Sequence, residues 1–302
     1  MTLGEGELAR IALTVRCRDT DRLPKVAGAG DVTDGVQTMH NGVKIEEGGY
    51  YGEWMTEVIR RLRGHHEPQE EVAFHTILER LADTAGPSPT MLELGAFWAY
   101  YSLWFLHRIP HGRAFMVEPD PAYLDVGRRN FALNDVEGTF HQAAVGHSKG
   151  PAIPFECESD GVVREVPVEG LASLLDRFHL DHLDLLFSDV QGFEWPLLDG
   201  GRDVLAAGRV RFLVASTHHH LISGDPLTHQ RCLDLLRELG AHVILEHTVA
   251  ESFSGDGLIV ASFDERDRDL HVVTSRCRVG ESWFGDPLVD LEAAWRELGR
   301  LS

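Results

Sequence analysis

The stretch after the Gly86-Pro87-Ser88-Pro89 break constrains the fold more than any other part of the chain. It alternates short apolar runs with amphipathic segments, which is the pattern of repeated βαβ units. Such units build a mainly parallel sheet with helices on both faces. The predicted strands are residues 91–94, 114–117, 139–145, 183–188, 212–216, 242–246 and 258–263, and predicted helices span 100–108 and 120–134.

The end of this region predicts a change in strand direction. The last two strand candidates are joined through Ser254-Gly255-Asp256-Gly257 with no helical period between them, so we expect them to pair antiparallel. Asp225-Pro226 is predicted to cap the helix before them, and Gly240 to end it. The predicted fold is an α/β, Rossmann-like sheet of seven strands, mainly parallel, with an antiparallel C-terminal hairpin.

Three regions are expected along the chain. Residues 1–88 form an N-terminal extension and helical lid, irregular up to about residue 45, helical from Tyr50 and again from Glu67-Pro68. Residues 89–264 form the main domain, and 265–302 a C-terminal extension whose helix starts at Asp286-Pro287. That last helix is expected to pack on the domain or to form a homodimer.

The charge balance excludes some partners. The chain has 28 Lys and Arg residues against 48 Asp and Glu residues, a net charge of −20. Such a surface repels phosphate backbones and anionic lipids, so we expect a small-molecule or sugar partner and neither nucleic acid nor membrane. The four scattered cysteines indicate no disulfide framework or zinc site, and no apolar run has signal-peptide or membrane-span length. A cytoplasmic protein is expected.

The first strand-to-helix crossover, at Glu93-Leu94-Gly95, predicts a cofactor pocket. A dinucleotide fingerprint needs a second glycine at position 97, where this chain has Phe97. S-adenosylmethionine has no phosphate and needs only the tight turn, together with carboxylates for its ammonium and ribose. Glu93 and Glu118 are suitably spaced for these two roles; the alternative is that Glu93 caps a helix and Glu118 is a solvated strand end.

Four ordered motifs carry a resemblance to a known family. They are MLELGAFWAYYSLWF, MVEPDPAYLDVGRRNFALND, HQAAVGHSKG and LDLLFSDVQGFEWPLLDGG. Together they resemble the FkbM family of S-adenosylmethionine-dependent methyltransferases, from about Glu67 to Phe263. The family's elements are an E-x-G turn, a V-E-P strand end, an A-A-V-G segment and a D-V-E-G-x-E element. Gln191 and Ser216-Thr217-His218 depart from the usual residues.

The resemblance implies a cofactor site. Glu93 and Gly95 would hold the methionyl end, Glu118 the ribose, and Asp189 would lie beside the transferring methyl. The complete set it implies is Glu93, Gly95, Ala96, Ser102, Glu118, Pro119, Gln142, Ala143 and Asp189.

The catalytic candidates are the ionisable residues at the expected C-terminal strand ends, Asp189, Glu194 and His218. His218 is the first choice for a general base, because it follows the fifth strand and a neutral imidazole has a suitable pKa. Alternatively, Asp189, His218 and His220 would together suit a divalent metal.

A second group of residues precedes the sheet, in Tyr50-Tyr51-Gly52 and Gly64-His65-His66-Glu67-Pro68. Paired aromatics and histidines just before a helix N-terminus suggest a substrate or cofactor lid. The alternative is a helix cap with ordinary surface histidines. The expected substrate or lid residues are Tyr51, His65, His66, Glu67 and His220.

The leading functional prediction is therefore O-methylation of a hydroxyl on a small molecule or sugar, by in-line methyl transfer. An N-methyltransferase would use the same cofactor site. Two alternatives from other classes stay open: a nicotinamide-dependent oxidoreductase and an inactive methyltransferase-like binding protein.

Overall fold

The computed structural model describes residues 3–284, so the helix predicted after Asp286 lies outside the described residues. The segment up to residue 45 is not irregular as predicted. It holds a helix and a small antiparallel sheet, whose strands of two or three residues are too short to show a period in the sequence. These elements are α1 (Glu5–Thr14), β1 (Val32–Thr33), β2 (Val36–Thr38) and β3 (Lys44–Glu46).

Two helices follow before the main sheet, α2 (Glu53–Arg61) and α3 (Pro68–Thr84). Helix α2 begins after Tyr50, because Tyr51 and Gly52 have φ values of 48° and 73° and cannot continue a right-handed helix. Helix α3 begins where the sequence predicts, with Glu67 at its N-cap and Pro68 in its first turn.

The main sheet has seven strands in the order β12-β13-β11-β10-β4-β5-β6, which confirms the predicted fold. Strands β11, β10, β4, β5 and β6 are parallel, and β13 runs antiparallel between β11 and β12. Their bounds are β4 (Thr90–Leu94), β5 (Arg113–Glu118), β6 (Thr139–Gln142), β10 (Leu183–Ser188), β11 (Val210–Thr217), β12 (His242–His247) and β13 (Gly257–Ser262).

Helices cover both faces of this sheet. One apolar core joins the sheet to α3, α4 (Tyr100–Arg108) and α5 (Pro121–Leu133) and also includes Ile11 and Met39 from the N-terminal segment. The other core joins the opposite face to four helices, through residues such as Leu171 and Leu236. These four helices are α6 (Leu171–Arg177), α7 (Glu194–Gly200), α8 (Arg202–Ala206) and α10 (Thr228–Glu238). The short helix α9 (His220–Ser223) has no buried residue.

The predicted strand 139–145 is wrong in its second half. The chain leaves the main sheet after Gln142, and β7 (Ala144–Val145) instead pairs with a separate sheet formed with β8 (Gly150–Glu156) and β9 (Val163–Glu169). We call β7–β9 the inserted sheet. Ser159 in its connecting turn donates hydrogen bonds to Asp120 at the start of α5, which fixes the inserted sheet beside the main sheet.

The predicted cap at Asp225-Pro226 is displaced by two residues. Helix α10 begins at Thr228, and Asp225 instead accepts a hydrogen bond from the backbone of Leu227 in the preceding turn. Gly240 follows the helix with φ 81°, as its role as a stop signal predicts. No helix among residues 3–284 is long and apolar enough to cross a membrane.

Candidate functional site

The C-terminal ends of β4, β5 and β10 meet at one edge of the sheet, where Leu94 lies opposite both Val117 and Ser188. This is the switch point at which parallel α/β sheets bind ligands. A cavity of about 190 Å³ opens there, which we call the first cavity. Of the predicted cofactor residues, it is lined by Glu93, Gly95, Ala96, Glu118, Pro119, Ala143 and Asp189.

Gly95 allows two strand ends to approach closely. A Cβ atom at this position would lie 1.6 Å from the backbone oxygen of Asp189, and its φ of 73° is in the left-handed region. The backbone amides of Gly95 and Ala96 both donate to the carbonyl of Val117. Any side chain here would push β4 and β10 apart, so the turn requires glycine whatever ligand it serves.

Glu93 lies at the floor of the first cavity and is almost fully buried. Its Oε2 accepts a hydrogen bond of 3.0 Å from the backbone amide of Ser102 in the first turn of α4. The alternative that Glu93 caps a helix is therefore correct, but Glu93 also lines the cavity. Burial raises the pKa of Glu93 to about 8, although the hydrogen bonds from Ser102 oppose the rise. Ser102 itself contacts Glu93 and is not part of the cavity lining.

Glu118 is also buried and is not a solvated strand end. Its two oxygens accept backbone hydrogen bonds from Asp120, at 3.0 Å, and Phe97, at 3.1 Å. Burial raises the pKa of Glu118 to about 8 against these hydrogen bonds. Each oxygen keeps a second lone pair, so the carboxylate is oriented to accept further hydrogen bonds from a ligand in the first cavity.

Aromatic rings form one wall of the first cavity. Phe97 stacks on Tyr123 with ring centroids 3.5 Å apart, and Trp98 stacks on Tyr50 at 4.3 Å. Phe97 has φ 40°, an uncommon conformation for a side chain of this size. The residue that replaces the dinucleotide glycine therefore keeps a left-handed backbone and adds a flat apolar surface.

Of the two residues expected to border the adenine, Gln142 and Ala143, only one lines the first cavity. Ala143 lines the first cavity, whereas Gln142 donates its side-chain amide to the carbonyl of Pro119 and is not in the lining. Ile153 and Phe155 of the inserted sheet line the cavity as well. Neither residue is among the predicted cofactor residues, because the sequence does not predict the inserted sheet.

A second cavity adjoins the first and shares Tyr50, Tyr51 and Asp189 with it. It has a volume of about 290 Å³ and reaches residues from both ends of the described chain, including Arg10 and Trp283. Its lining is Arg10, Tyr50, Tyr51, Trp54, Met55, Glu67, Glu158, Asp189, Gln191, His218, Ile222, Ser254, Gly255, Asp256, Trp283 and Phe284.

His218 lies in this second cavity, surrounded by three carboxylates. Its Nδ1 is 2.8 Å from Glu194, and its Nε2 is 3.2 Å from Asp189 and 3.5 Å from Asp256. Burial favours the neutral ring, but Asp256, Glu194 and Asp189 outweigh it and raise the pKa of His218 well above its ordinary value. The neutral imidazole on which the prediction of a His218 base depended is therefore not what this environment favours.

Asp256 is an ionisable residue of the site that the sequence pattern does not reveal. It lies in the turn before β13, where the sequence indicates only a hairpin. Burial raises its pKa to about 7; His218 opposes the rise, and Asp189, Glu70 and Glu194 add to it. A carboxylate that titrates near neutral pH, beside Asp189 at the junction of the two cavities, suits a general base.

The two histidines of the predicted lid have different surroundings. His66 lines the first cavity, but His65 is fully buried in the core and is not a pocket residue as predicted. The carboxylate of Glu71, in the first turn of α3, contacts His65 Nδ1 and accepts the backbone amide of His66. The same carboxylate also lies 2.7 Å from Nδ1 of His66, so Glu71 contacts both imidazole rings.

Tyr51 and Glu67 line both cavities, as lid residues would. Glu67 is partly exposed and lies next to the buried Glu70, which accepts a hydrogen bond from Ser216. Burial and the neighbouring Glu70 raise the pKa of Glu67 well above its ordinary value. Two adjacent carboxyl groups cannot both ionise readily, and the pKa of Glu70 is raised as well.

The predicted metal group is not assembled. His220 begins α9 with its ring 4.1 Å from that of His219, and it lines neither cavity. Among residues 3–284, the group with metal-like spacing is His40, His65 and Glu71. The rings of His40 and His65 are stacked 4.0 Å apart, so their in-plane nitrogen lone pairs run side by side instead of converging on one ion.

Solved structures that resemble the chain include precorrin-6y C5,15-methyltransferase from Geobacter metallireducens, with 17% identity, a TM-score of 0.40 and coverage of 64% of this chain and 87% of that one. TrmK from M. capricolum, in complex with S-adenosylhomocysteine, has 11% identity, a TM-score of 0.38 and coverage of 65% and 74%. No curated protein matches the chain.

Both TM-scores are below 0.5, so the assignment depends on the family model. The model of the methyltransferase FkbM domain matches residues 85–243, just over half of the chain. The matched region contains β4, β5, β10 and their C-terminal ends, and therefore most of the first cavity. The chain belongs to the FkbM family of methyltransferases.

Proposed function

We propose that this methyltransferase binds S-adenosylmethionine in the first cavity and a small polar acceptor in the second. The observation that carries the proposal is that the two cavities meet at Asp189, where Tyr50 and Tyr51 also belong to both linings. Methyl transfer needs the nucleophile and the methyl group in line and in contact, and two cavities with a common wall provide that arrangement.

The residues of the first cavity fit this cofactor. Glu93 and Glu118 are buried carboxylates suited to an ammonium group and to ribose hydroxyls, and the Gly95 turn lets the ends of β4 and β10 approach each other beside this cavity. Within the described chain, the lining of this cavity includes no lysine or arginine, so a dinucleotide pyrophosphate would lack a cationic partner. When bound, S-adenosylmethionine supplies an electrophilic methyl group on a sulfonium.

Four residues at or beside the junction have roles in the proposal. Asp256 accepts the proton that the acceptor loses. His218 is a positioning residue: its Nδ1 is held by Glu194, and its charge keeps Asp189 and Asp256 close together. Tyr50 and Tyr51 close the junction against water.

Two acceptor groups suit this chemistry. A hydroxyl on a small molecule or sugar is the acceptor that the family resemblance implies. An amine nitrogen is the second candidate, and the observation that favours it is the group of carboxylates around the junction, Asp189, Asp256 and Glu158.

The experiment is isothermal titration with S-adenosylhomocysteine, with NAD and divalent cations as parallel ligands. We expect S-adenosylhomocysteine alone to bind with micromolar affinity or better, and Glu118→Gln to weaken it. Binding of NAD without S-adenosylhomocysteine would contradict the proposal, and no binding by either would favour an inactive binding protein.

A further inference from the structure

The second cavity contains more acidic groups than basic ones. Its walls hold four carboxyl groups, and only two of its lining residues carry a positive charge. A cavity that bound a neutral or anionic molecule would gain nothing from this excess, because each unpaired carboxylate costs free energy to desolvate. The carboxyl groups are Glu67, Glu158, Asp189 and Asp256, and the cations are Arg10 and His218.

These two cations offset only part of the acidic charge. His218 shares its charge among Asp189, Asp256 and Glu194, the last of which lies outside the lining. Arg10 is exposed, and its guanidinium lies over the aromatic rings of Trp54 and Trp283.

Aromatic rings make up much of the remaining wall, and ring faces attract cations. The guanidinium of Arg10 is 5.8 Å from the ring centroid of Trp54 and 5.0 Å from that of Trp283, so these rings already hold a cation within the protein. Carboxylates combined with aromatic faces are the usual surroundings of a bound ammonium group. The aromatic lining residues are Tyr50, Tyr51, Trp54, Trp283 and Phe284.

The inner end of this cavity is formed by the carboxylates of Asp189 and Asp256 around Nε2 of the buried His218. Nε2 lies 3.2 Å from Asp189 and 3.5 Å from Asp256 and is a donor in the protonated ring, so the groups that a bound ammonium would contact here are the carboxylate oxygens. An ammonium group here would give both carboxylates a charged donor, whereas a neutral hydroxyl offers one uncharged donor.

From these observations we infer that the acceptor is an amine, recognised as its ammonium form by Asp189, Asp256 and the aromatic wall, and methylated on nitrogen. The inference rests on the proposed function and names its substrate class. An alkylammonium has a pKa of about 10. An alcohol, like water, is a far weaker acid, so a carboxylate of Asp256's kind deprotonates an ammonium much more readily.

The reaction balances with these groups alone. The ammonium passes one proton to the carboxylate of Asp256, and the nitrogen lone pair that this exposes forms a bond to the methyl carbon. The bond between that carbon and sulfur breaks, and its electron pair stays on sulfur. The products are the N-methylammonium and S-adenosylhomocysteine, and Asp256 later releases its proton to water.

The test compares matched probes on protein saturated with S-adenosylhomocysteine. Phenethylamine, N-acetylphenethylamine and 2-phenylethanol share one ring and differ in charge; glucosamine, N-acetylglucosamine and glucose repeat the comparison on a sugar. By isothermal titration at pH 7 we expect at least one amine to bind ten times or more as tightly as both of its neutral counterparts. Equal binding within both sets, or no binding by any amine, would overturn the inference.

Asp256→Asn should remove most of the preference for the amine while S-adenosylhomocysteine binds within about twofold of the unmodified protein. Asp83→Asn, at an exposed carboxylate of α3 outside both cavities, is the matched control and should change neither. An unchanged preference in Asp256→Asn would overturn the assignment. If S-adenosylhomocysteine itself does not bind, the proposed function fails; if it binds and the amine preference is absent, only the amine inference fails.

Discussion

At the scale of single residues, Glu118 shows how one carboxylate serves both fold and ligand. Because its oxygens accept the backbone amides of Phe97 and Asp120, its position is fixed before any ligand arrives. Above its pKa of about 8 this side chain is ionised, and a hydrogen bond to a charged group is worth about 1.5–3 kcal/mol. We expect Glu118→Gln to weaken S-adenosylhomocysteine binding by about 10- to 100-fold in isothermal titration, and Glu137→Gln, at an exposed residue, to leave it unchanged.

The titration of Asp256 gives a second prediction. A base must be deprotonated, so methyl transfer should rise as the pH increases through about 7, the pKa of Asp256. The acidic groups around it, Asp189, Glu70 and Glu194, raise this pKa, and His218 lowers it. His218→Gln should therefore move the rising limb to higher pH, while Asp256→Asn should abolish it. The measurement is the pH profile of kcat/KM with the best acceptor from the probe screen.

The matched control for these two variants is His229→Gln, at a histidine that contacts Thr217 and Glu246 outside both cavities. It should leave the pH profile unchanged. If the rising limb of the pH profile lies at the same pH in His218→Gln, then His218 does not lower the pKa of Asp256. Retention of the full limb in Asp256→Asn would assign the titration to another group.

The sequence predicts a site residue well when the location of that residue depends on the end of a single strand. Glu93, Gly95 and Glu118 follow directly from the pattern of strand and turn, and all three line the first cavity. Asp256 does not, because its proximity to Asp189 arises only when β13 inserts beside β11. The charge state of His218 is equally a product of tertiary structure, since its pKa depends on carboxylates from other segments.

At the scale of elements, the end of β4 packs very closely against the residue that follows β10. Gly95→Ala would place a methyl group 1.6 Å from the carbonyl oxygen of Asp189. We expect this change to lower the free energy of unfolding by more than about 3 kcal/mol, from overlap and strain together. Urea denaturation followed by circular dichroism measures it.

Gly240→Ala separates these two causes. Gly240 also has a positive φ, 81°, but an added Cβ atom there would meet nothing within 4 Å. Its substitution should cost about 1 kcal/mol, the strain alone. Equal losses for the two variants would show that the approach of β4 to the Asp189 carbonyl is not what requires glycine.

The sequence predicts those elements whose apolar residues follow an unbroken pattern because they are buried. Strands β10 and β11 are buried on both faces and therefore appear in the sequence as apolar runs. Strand β8 is mostly exposed and contains Pro151 and Pro154, so its sequence resembles a loop. The inserted sheet was missed for that reason, and with it the contribution of Phe155 to the first cavity.

At the scale of the whole molecule, several buried carboxyl groups make stability depend on pH. In the folded chain Glu93 and Glu118 have pKa values of about 8, against 4.5 for the unfolded reference, so the folded state holds protons that the unfolded chain has lost. Stability then falls as pH rises from about 4.5 to about 8. Without ligand, we expect the melting temperature to be lower at pH 8.5 than at pH 6.

The double variant Glu93→Gln/Glu118→Gln should show a shallower decline, because its side chains carry no proton to lose. The net charge of −20 contributes in the same direction, and 0.3 M NaCl reduces that part by screening. A melting temperature that rises with pH, or an unaltered slope in the double variant at high salt, would contradict this account.

Because the two cavities share a wall, a ligand bound in one cavity can change the affinity of the other. If occupation of one cavity moves Tyr50, Tyr51 or Asp189, it alters the affinity of the other cavity, and thermodynamic reciprocity requires the same factor in both directions. An acceptor that increases the affinity for S-adenosylhomocysteine would then slow the release of that product. At high concentration such an acceptor would inhibit methyl transfer. Substitutions in this wall would change both dissociation constants together, whereas substitutions at Trp283 or Phe155 would act on one cavity each.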